Sequence, residues 1–140
     1  MSVFIDTSAF LALLDRDEVH HTAASAVWRR LLADDETLVA TNYILVESYA
    51  LIQRRMGLDA VRIFTTDFVP LLEMEWTGPD VHAAAVSALL VASRRDLSLV
   101  DCVSFETMRR RGISRAFAFD RHFTTQGFDV TSNADGKQPE

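Results

Sequence analysis

The sequence predicts an α/β domain built on a mainly parallel sheet of about five strands. Three observations predict it. Short β-branched and aromatic runs alternate with stretches of helical periodicity along the chain. Helix caps and glycine stops fall between those runs. The chain has 140 residues, the size of one ordinary domain, and shows no internal repeat and no linker.

Val3-Phe4-Ile5 reads as a buried first strand, and Ser8–Leu14 as a short helix. Val19, Ala23, Ala26, Val27 and Leu31 recur at helical spacing and predict a helix over about 19–32. Thr37–Ala40 is the second strand. Thr41 caps a helix running to Met56, with Gly57 as its stop. A short helix is expected over about 58–65, and a third strand over Pro70–Trp76. Gly78-Pro79-Asp80 opens a helix ending near Arg95, because proline suits the first helical turn. Ser98 starts another, which Gly112 ends. Ala116–Phe119 is the fourth strand and Phe128–Thr131 the fifth. Residues 1–131 form the expected domain. The stretch 132–140 is almost without apolar residues and reads as a flexible C-terminal tail.

Hydrophobic residues make up 49% of the chain and charged residues 24%, enough apolar material for a core, which excludes bulk disorder. Cys102 is the one cysteine, so neither an intrachain disulfide nor a cysteine-rich zinc site is possible. Asp6 interrupts the first apolar run, so no signal peptide is expected. The uncharged run Val81–Ser93 falls short of the roughly 20 residues a membrane span needs. A cytoplasmic location is expected. The net charge of −6 speaks against a general electrostatic grip on nucleic acid. Arginine supplies 13 of the 14 cations, and Lys137 is the one lysine.

The informative residues are four acids in apolar settings. Asp6 follows Val3-Phe4-Ile5, and Asp120 follows Ala116-Phe117-Ala118-Phe119, so both end a strand. In open parallel sheets that edge is where ligands bind. Glu47 shares a helix face with Tyr43, Ile44, Ala50 and Leu51. Asp101 lies in a first helical turn between Leu97 and Phe105. Buried carboxylates are costly unless paired or bound to a cation, and the body of the chain has no lysine. If the four meet, their oxygens suit Mg²⁺ or Mn²⁺. Each also has a purely structural reading. Asp101 could complete a capping box with Ser98, Asp120 could cap the turn before Arg121-His122, and Asp6 could cap the helix near Ser8. Glu47 could be a partly exposed acid paired with Arg54 or another arginine.

Other schemes lack their residues. There is no glycine-rich phosphate loop followed by lysine and no GxSxG serine. Asp6-Thr7-Ser8 lacks the second acid of aspartyl-phosphate phosphatases. His20 and His21 are adjacent, His82 and His122 isolated, and surface or core placement is the expectation for all four. Arg29-Arg30, Arg54-Arg55, Arg94-Arg95 and Arg109-Arg110-Arg111 fall near helix C-termini, where the helix dipole favours cations. Phosphate contact is the second reading of these clusters.

Together these residues resemble the PIN-domain ribonucleases, most closely the VapC-type toxins of prokaryotic toxin–antitoxin pairs. The matching segments are Phe4-Ile5-Asp6-Thr7-Ser8-Ala9, Asp17–His21 with Ala24, and Asn42–Ser48 around Glu47. Asp96-Leu97-Ser98-Leu99-Val100-Asp101 and Phe119-Asp120-Arg121-His122-Phe123 with Gly127-Phe128 complete the set. The resemblance implies a three-layer α/β/α fold with strand order 3-2-1-4-5. It implies an acidic pocket holding Mg²⁺ or Mn²⁺, and endonucleolytic cleavage of RNA to 5′-phosphate and 3′-hydroxyl ends. Asp6, Glu47, Asp101 and Asp120 become metal ligands or water-positioning acids, and Ser8 an accessory polar residue. A cognate VapB-like antitoxin and a homodimer are implied as well. The chain departs from the pattern at Ala118, where many relatives carry Thr or Ser. Two alternatives stay open: a PIN nuclease of RNA processing without an antitoxin, and a non-catalytic binding module of the same fold. Two bound divalent ions would bring −6 to about −2, so the acid excess itself is partly the mark of such a site.

Overall fold

Alternating strands and helices assemble into one five-stranded sheet, seen in a computed structural model that describes residues 1–132. The strands are β1 (Ser2–Ile5), β2 (Thr37–Thr41), β3 (Glu73–Glu75), β4 (Arg115–Phe117) and β5 (Asp129–Thr131). Their order is β3-β2-β1-β4-β5, and every neighbouring pair is parallel. Phe4 pairs with Val39 on one side and Ala116 on the other, so β1 is the central strand. Parallel strands need crossovers, and helices supply them on both faces of the sheet, as the α/β/α expectation required.

The helices are α1 (Thr7–Leu14), α2 (His21–Ala33), α3 (Asn42–Met56), α4 (Leu58–Ile63), α5 (Pro79–Ala92), α6 (Leu99–Arg111) and α7 (His122–Thr125). Thr41 caps α3 by accepting from the Ile44 N–H at 3.2 Å. Gly57 at φ 86° ends it in a conformation that β-carbons disfavour. Gly112 at φ 67° ends α6, with Ile113 N–H returning to Met108 O at 2.8 Å.

Val3, Phe4 and Ile5 are fully buried, as are Phe10, Phe64, Phe117 and Phe123. Phe4, Phe105 and Phe128 gather around Phe123, and Phe10, Tyr49 and Phe68 around Phe64. Trp28 is buried against Phe68 and Tyr49 packs edge-on to Phe64, so both aromatics serve the core.

Several boundaries differ from the sequence expectation. The third strand is three residues, because a tight turn at Val69–Leu71, closed by Leu72 N–H on Val69 O, uses up its expected start at Pro70. Trp76 lies past its end and is exposed. The helix expected over 58–65 loosens at Phe64–Phe68 into a π-helical turn. Thr65 and Thr66 hydroxyls donate to the Val61 and Arg62 carbonyls there, competing with the backbone ladder. Helix α5 stops at Ala92, so Arg94 and Arg95 sit in the following loop rather than in a last turn. Arg30, Arg54-Arg55 and Arg109-Arg110-Arg111 do fall in last turns. Of the predicted tail, Ser132 is buried, and 133–140 lies outside the described residues. Among the described residues no helix is long and apolar enough to cross a membrane.

Candidate active site

The four acids reach one pocket from four different elements. Asp6, Glu47, Asp101 and Asp120 line a cavity of about 240 Å³, together with Thr7, Ser8 and Ser98. Strands β1 and β4 are neighbours, and Asp6 N–H donates to Phe117 O at 3.0 Å just past their ends. The acids that follow these strands therefore open on the same edge of the sheet, the C-terminal edge where α/β folds bind ligands.

Asp6 is the most deeply placed, with 5% of its surface exposed. One of its oxygens, Oδ2, accepts from the Ser8 N–H at 3.1 Å and the Ser8 hydroxyl at 2.6 Å. Ser8 Oγ in turn accepts from Phe119 N–H at 2.9 Å, so this serine ties the start of α1 to the segment carrying Asp120. Burial pushes the Asp6 carboxyl up to about 7; the Ser8 hydrogen bonds oppose this, and the charges of Asp101 and Asp120 add to it. Glu47 projects from the second turn of α3. Burial raises its pKa first, the Thr7 hydroxyl pulls the other way, and Asp101 and Asp120 raise it further. Thr7 itself accepts from the Ser48 hydroxyl at 3.2 Å, which holds α1 against α3 beneath the pocket.

Asp101 completes a capping box: its N–H donates to Ser98 Oγ at 3.0 Å, and its Oδ2 accepts from Ser98 N–H at 3.2 Å. Asp120 Oδ1 accepts from His122 N–H at 2.8 Å. The structural readings of Asp6, Asp101 and Asp120 are thus realised, and the same three side chains line the pocket. Capping engages part of each carboxylate and leaves acceptor capacity free. The fourth structural reading does not describe Glu47, whose hydrogen bond is with Thr7 and whose pKa is shifted by no arginine. Ala118 is fully buried under this edge, and Asp120 reaches the pocket without a hydroxyl two residues before it.

Histidine 122 departs from the expectation of surface or core placement. Its Nδ1 lies 3.2 Å from Asp120 Oδ1 and 3.3 Å from Asp101 Oδ2, and its Nε2 3.4 Å from Asp96 Oδ2. Burial disfavours the charged ring, but Asp120, Asp96 and Asp101 outweigh it and raise the pKa. The signal was local only in part. That local part is the Asp120–His122 turn, in which the carboxylate accepts the N–H two residues on; the contacts to Asp96 and Asp101 are long-range.

The donor set fits a hard divalent ion. Burial and like charge push Asp6 and Glu47 in the same direction, and a cation between the acids would reverse both effects. Asp101, Asp120 and His122 each offer one ligand atom within 4.8 Å of the others. A second pocket of about 410 Å³, lined by Asn42, Tyr43, Val46, Glu47, Ala50 and Val100, adjoins the acidic one and shares Glu47 with it.

Comparisons with known proteins agree with this architecture. The family model of the PIN domain matches residues 3–128. The 23S rRNA-specific endonuclease VapC20 of Mycobacterium tuberculosis is 31% identical over 127 residues, covering 90% of this chain and 95% of the relative. The crystal structure of VapC20, a sarcin-ricin loop cleaving toxin, superposes with a TM-score of 0.78 at 32% identity, covering 91% of this chain and 96% of that one. FitAcB from Neisseria gonorrhoeae shares the fold alone, with a TM-score of 0.67 at 12% identity over 91% of this chain and 95% of that one. An acid-lined pocket at the C-terminal edge of a 3-2-1-4-5 sheet, a family match over nearly all described residues and these relatives agree: the chain belongs to the PIN-domain family.

Proposed function

We propose that this PIN-domain protein is a divalent-metal-dependent endoribonuclease and the toxin of a VapBC-type toxin–antitoxin pair. The observation that carries the reading is the convergence of Asp6, Glu47, Asp101 and Asp120 on one pocket, with no lysine among the described residues to neutralise them. Mg²⁺ or Mn²⁺ is the cofactor, held by these four acids. When bound, the metal lowers the pKa of water and stabilises charge on the leaving oxygen.

The chain's own residues set the geometry. Asp6 and Asp120 hold their carboxylates at the ends of adjacent strands, fixed by Ser8 and by the His122 N–H. Glu47 and Asp101 come from α3 and α6 and close the pocket from the helical side. Ser8 is the accessory residue: its hydroxyl orients Asp6 and anchors Phe119. The cap hydrogen bonds pre-orient these carboxylates, so little reorganisation is left for the reaction.

RNA is the substrate class, and structured ribosomal RNA the first to test, given the activity named for the relative. A VapB-like antitoxin and a second copy of the chain are the expected protein partners. Exposed apolar side chains at Val46, Leu90 and Val91 support a protein-binding surface on α3 and α5. The location is cytoplasmic on this reading. The test is cleavage of 23S rRNA carrying the sarcin-ricin loop. Wild type with Mn²⁺ should cut, and Asp101→Asn should not. RNA binding with no metal-dependent cutting would instead establish a binding module, and cleavage undiminished by Asp101→Asn would refute the assignment of the site.

A further inference from the structure

We propose that His122 is a nitrogen ligand of the divalent ion, oriented by Asp96, and that it biases the site toward Mn²⁺-class ions over Mg²⁺. This deepens the nuclease reading and rests on it. The four acids alone make an all-oxygen donor set, which suits Mg²⁺ as well as Mn²⁺. An imidazole nitrogen changes that balance, because later first-row ions accept nitrogen more readily than magnesium does.

Three features of the geometry assign this role. His122 Nδ1 faces the acids, at 3.2 Å from Asp120 Oδ1 and 3.3 Å from Asp101 Oδ2. One atom from each of these three residues lies within 4.8 Å of the others, a spacing one ion can bridge. The opposite ring nitrogen, Nε2, points away from the acids toward Asp96 Oδ2 at 3.4 Å. A metal-binding histidine commonly donates its second N–H to a carboxylate, which fixes the tautomer and leaves the first nitrogen's lone pair for the ion. Asp96 is itself held in place: Arg94 donates to it from Nε at 3.2 Å and from Nη2 at 2.8 Å. The loop between α5 and α6 thus supplies the arginine and aspartate of a chain that runs through His122 of α7 to Asp101 and Asp120. Backbone geometry supports the ring from the other side, since His122 N–H is bound to Asp120 and opens α7.

A ring that merely clasped Asp101 and Asp120 by hydrogen bonds would favour no particular ion. The experiment separates the two roles on the full-length protein. Mn²⁺ is added to wild type, His122→Ala, His122→Asn and Asp96→Ala, and pulsed EPR reads nitrogen coupling to the bound ion. Affinities for Mn²⁺ and Mg²⁺ are measured by calorimetry alongside. Wild type should show nitrogen coupling that both His122 variants lose. His122→Ala should weaken Mn²⁺ about tenfold or more and Mg²⁺ no more than about twofold, and Asp96→Ala should keep the coupling with an intermediate loss. Asp96 is exposed, so its variant tests the arrangement without threatening the fold. Bound Mn²⁺ without nitrogen coupling in wild type, or equal losses for both ions in His122→Ala, overturns the inference and leaves the nuclease reading standing. No binding of either ion to wild type overturns both.

Discussion

Asp6→Asn should make the metal-free protein more stable while abolishing cleavage. The carboxyl of Asp6 is pushed from 3.8 to about 7, chiefly by burial. At roughly 1.4 kcal/mol per tenfold change in affinity for the proton, that displacement costs the folded, ionised state about 4 kcal/mol. The sign follows from the raised value. The stability attached to this group is fully present below about pH 4, and is lost as pH rises through about 7. Asparagine carries no charge and its oxygen can still accept from Ser8, but its amide also needs partners. A net gain of about 2 kcal/mol at pH 8 is therefore expected, or roughly 6 °C in melting temperature for a domain of this size. The gain should shrink as the pH is lowered toward 4. With millimolar Mn²⁺ the order reverses, because an ion at a hundred times its dissociation constant stabilises wild type by about 2.7 kcal/mol and has lost a ligand in the variant. Thermal melts in EDTA and in Mn²⁺, at pH 8 and pH 5, make the measurement. An Asp6→Asn protein that melts below wild type in EDTA at pH 8, or gains as much from Mn²⁺, would refute the reasoning.

Ser98→Ala should cost about 1 kcal/mol by removing the hydroxyl that caps α6, seen as a lower urea midpoint, and should largely keep cleavage because the Ser98 backbone N–H still holds the Asp101 carboxylate. Phe123→Ala empties a fully buried site among Phe4, Phe105 and Phe128 and should cost about 3–5 kcal/mol in chemical unfolding. Gly112→Ala forces a β-carbon into φ 67° and should destabilise by about 1 kcal/mol while sparing metal affinity. Glu36 lies below the usual carboxylate range, chiefly through its hydrogen bond from Arg115, aided by the Met1 amino group. Its stabilising effect is present above about pH 4.5 and is lost on acidification. Arg115→Gln should therefore flatten the acid limb of the stability profile, and an unchanged limb would count against this pairing.

Much of this was legible in the sequence because local and global signals agree. Val3-Phe4-Ile5 is apolar at every position, as a central parallel strand must be, and Thr41, Ser98, Gly57 and Gly112 mark helix ends by chemistry that acts within four residues. The acids could be picked out because a charge amid apolar neighbours needs a reason. What escaped depends on competition or on distance. Thr65 and Thr66 sit in the π segment with their hydroxyls on carbonyls one turn back, a competition with the backbone ladder that apolar periodicity does not register. Strand β3 is short because Val69–Leu71 closes a turn that apolar alternation does not foresee. His122 looked isolated because two of its partners, Asp96 and Asp101, lie 26 and 21 residues away.

Asp6, Asp101 and Asp120 each also accept a nearby backbone N–H, and that second role bears on how this site could decay. Replacing any of them by alanine would remove a backbone-bound acceptor along with a carboxylate, and so would loosen the local turn as well as stop the chemistry. Asparagine would keep an acceptor oxygen at each position. A lineage that lost nuclease activity would therefore drift first toward that residue, its backbone intact and its family profile still matching. In such descendants fold membership outlasts catalysis, and the amide-for-acid exchange at these three positions is the mark by which a silent copy could be told from a working one.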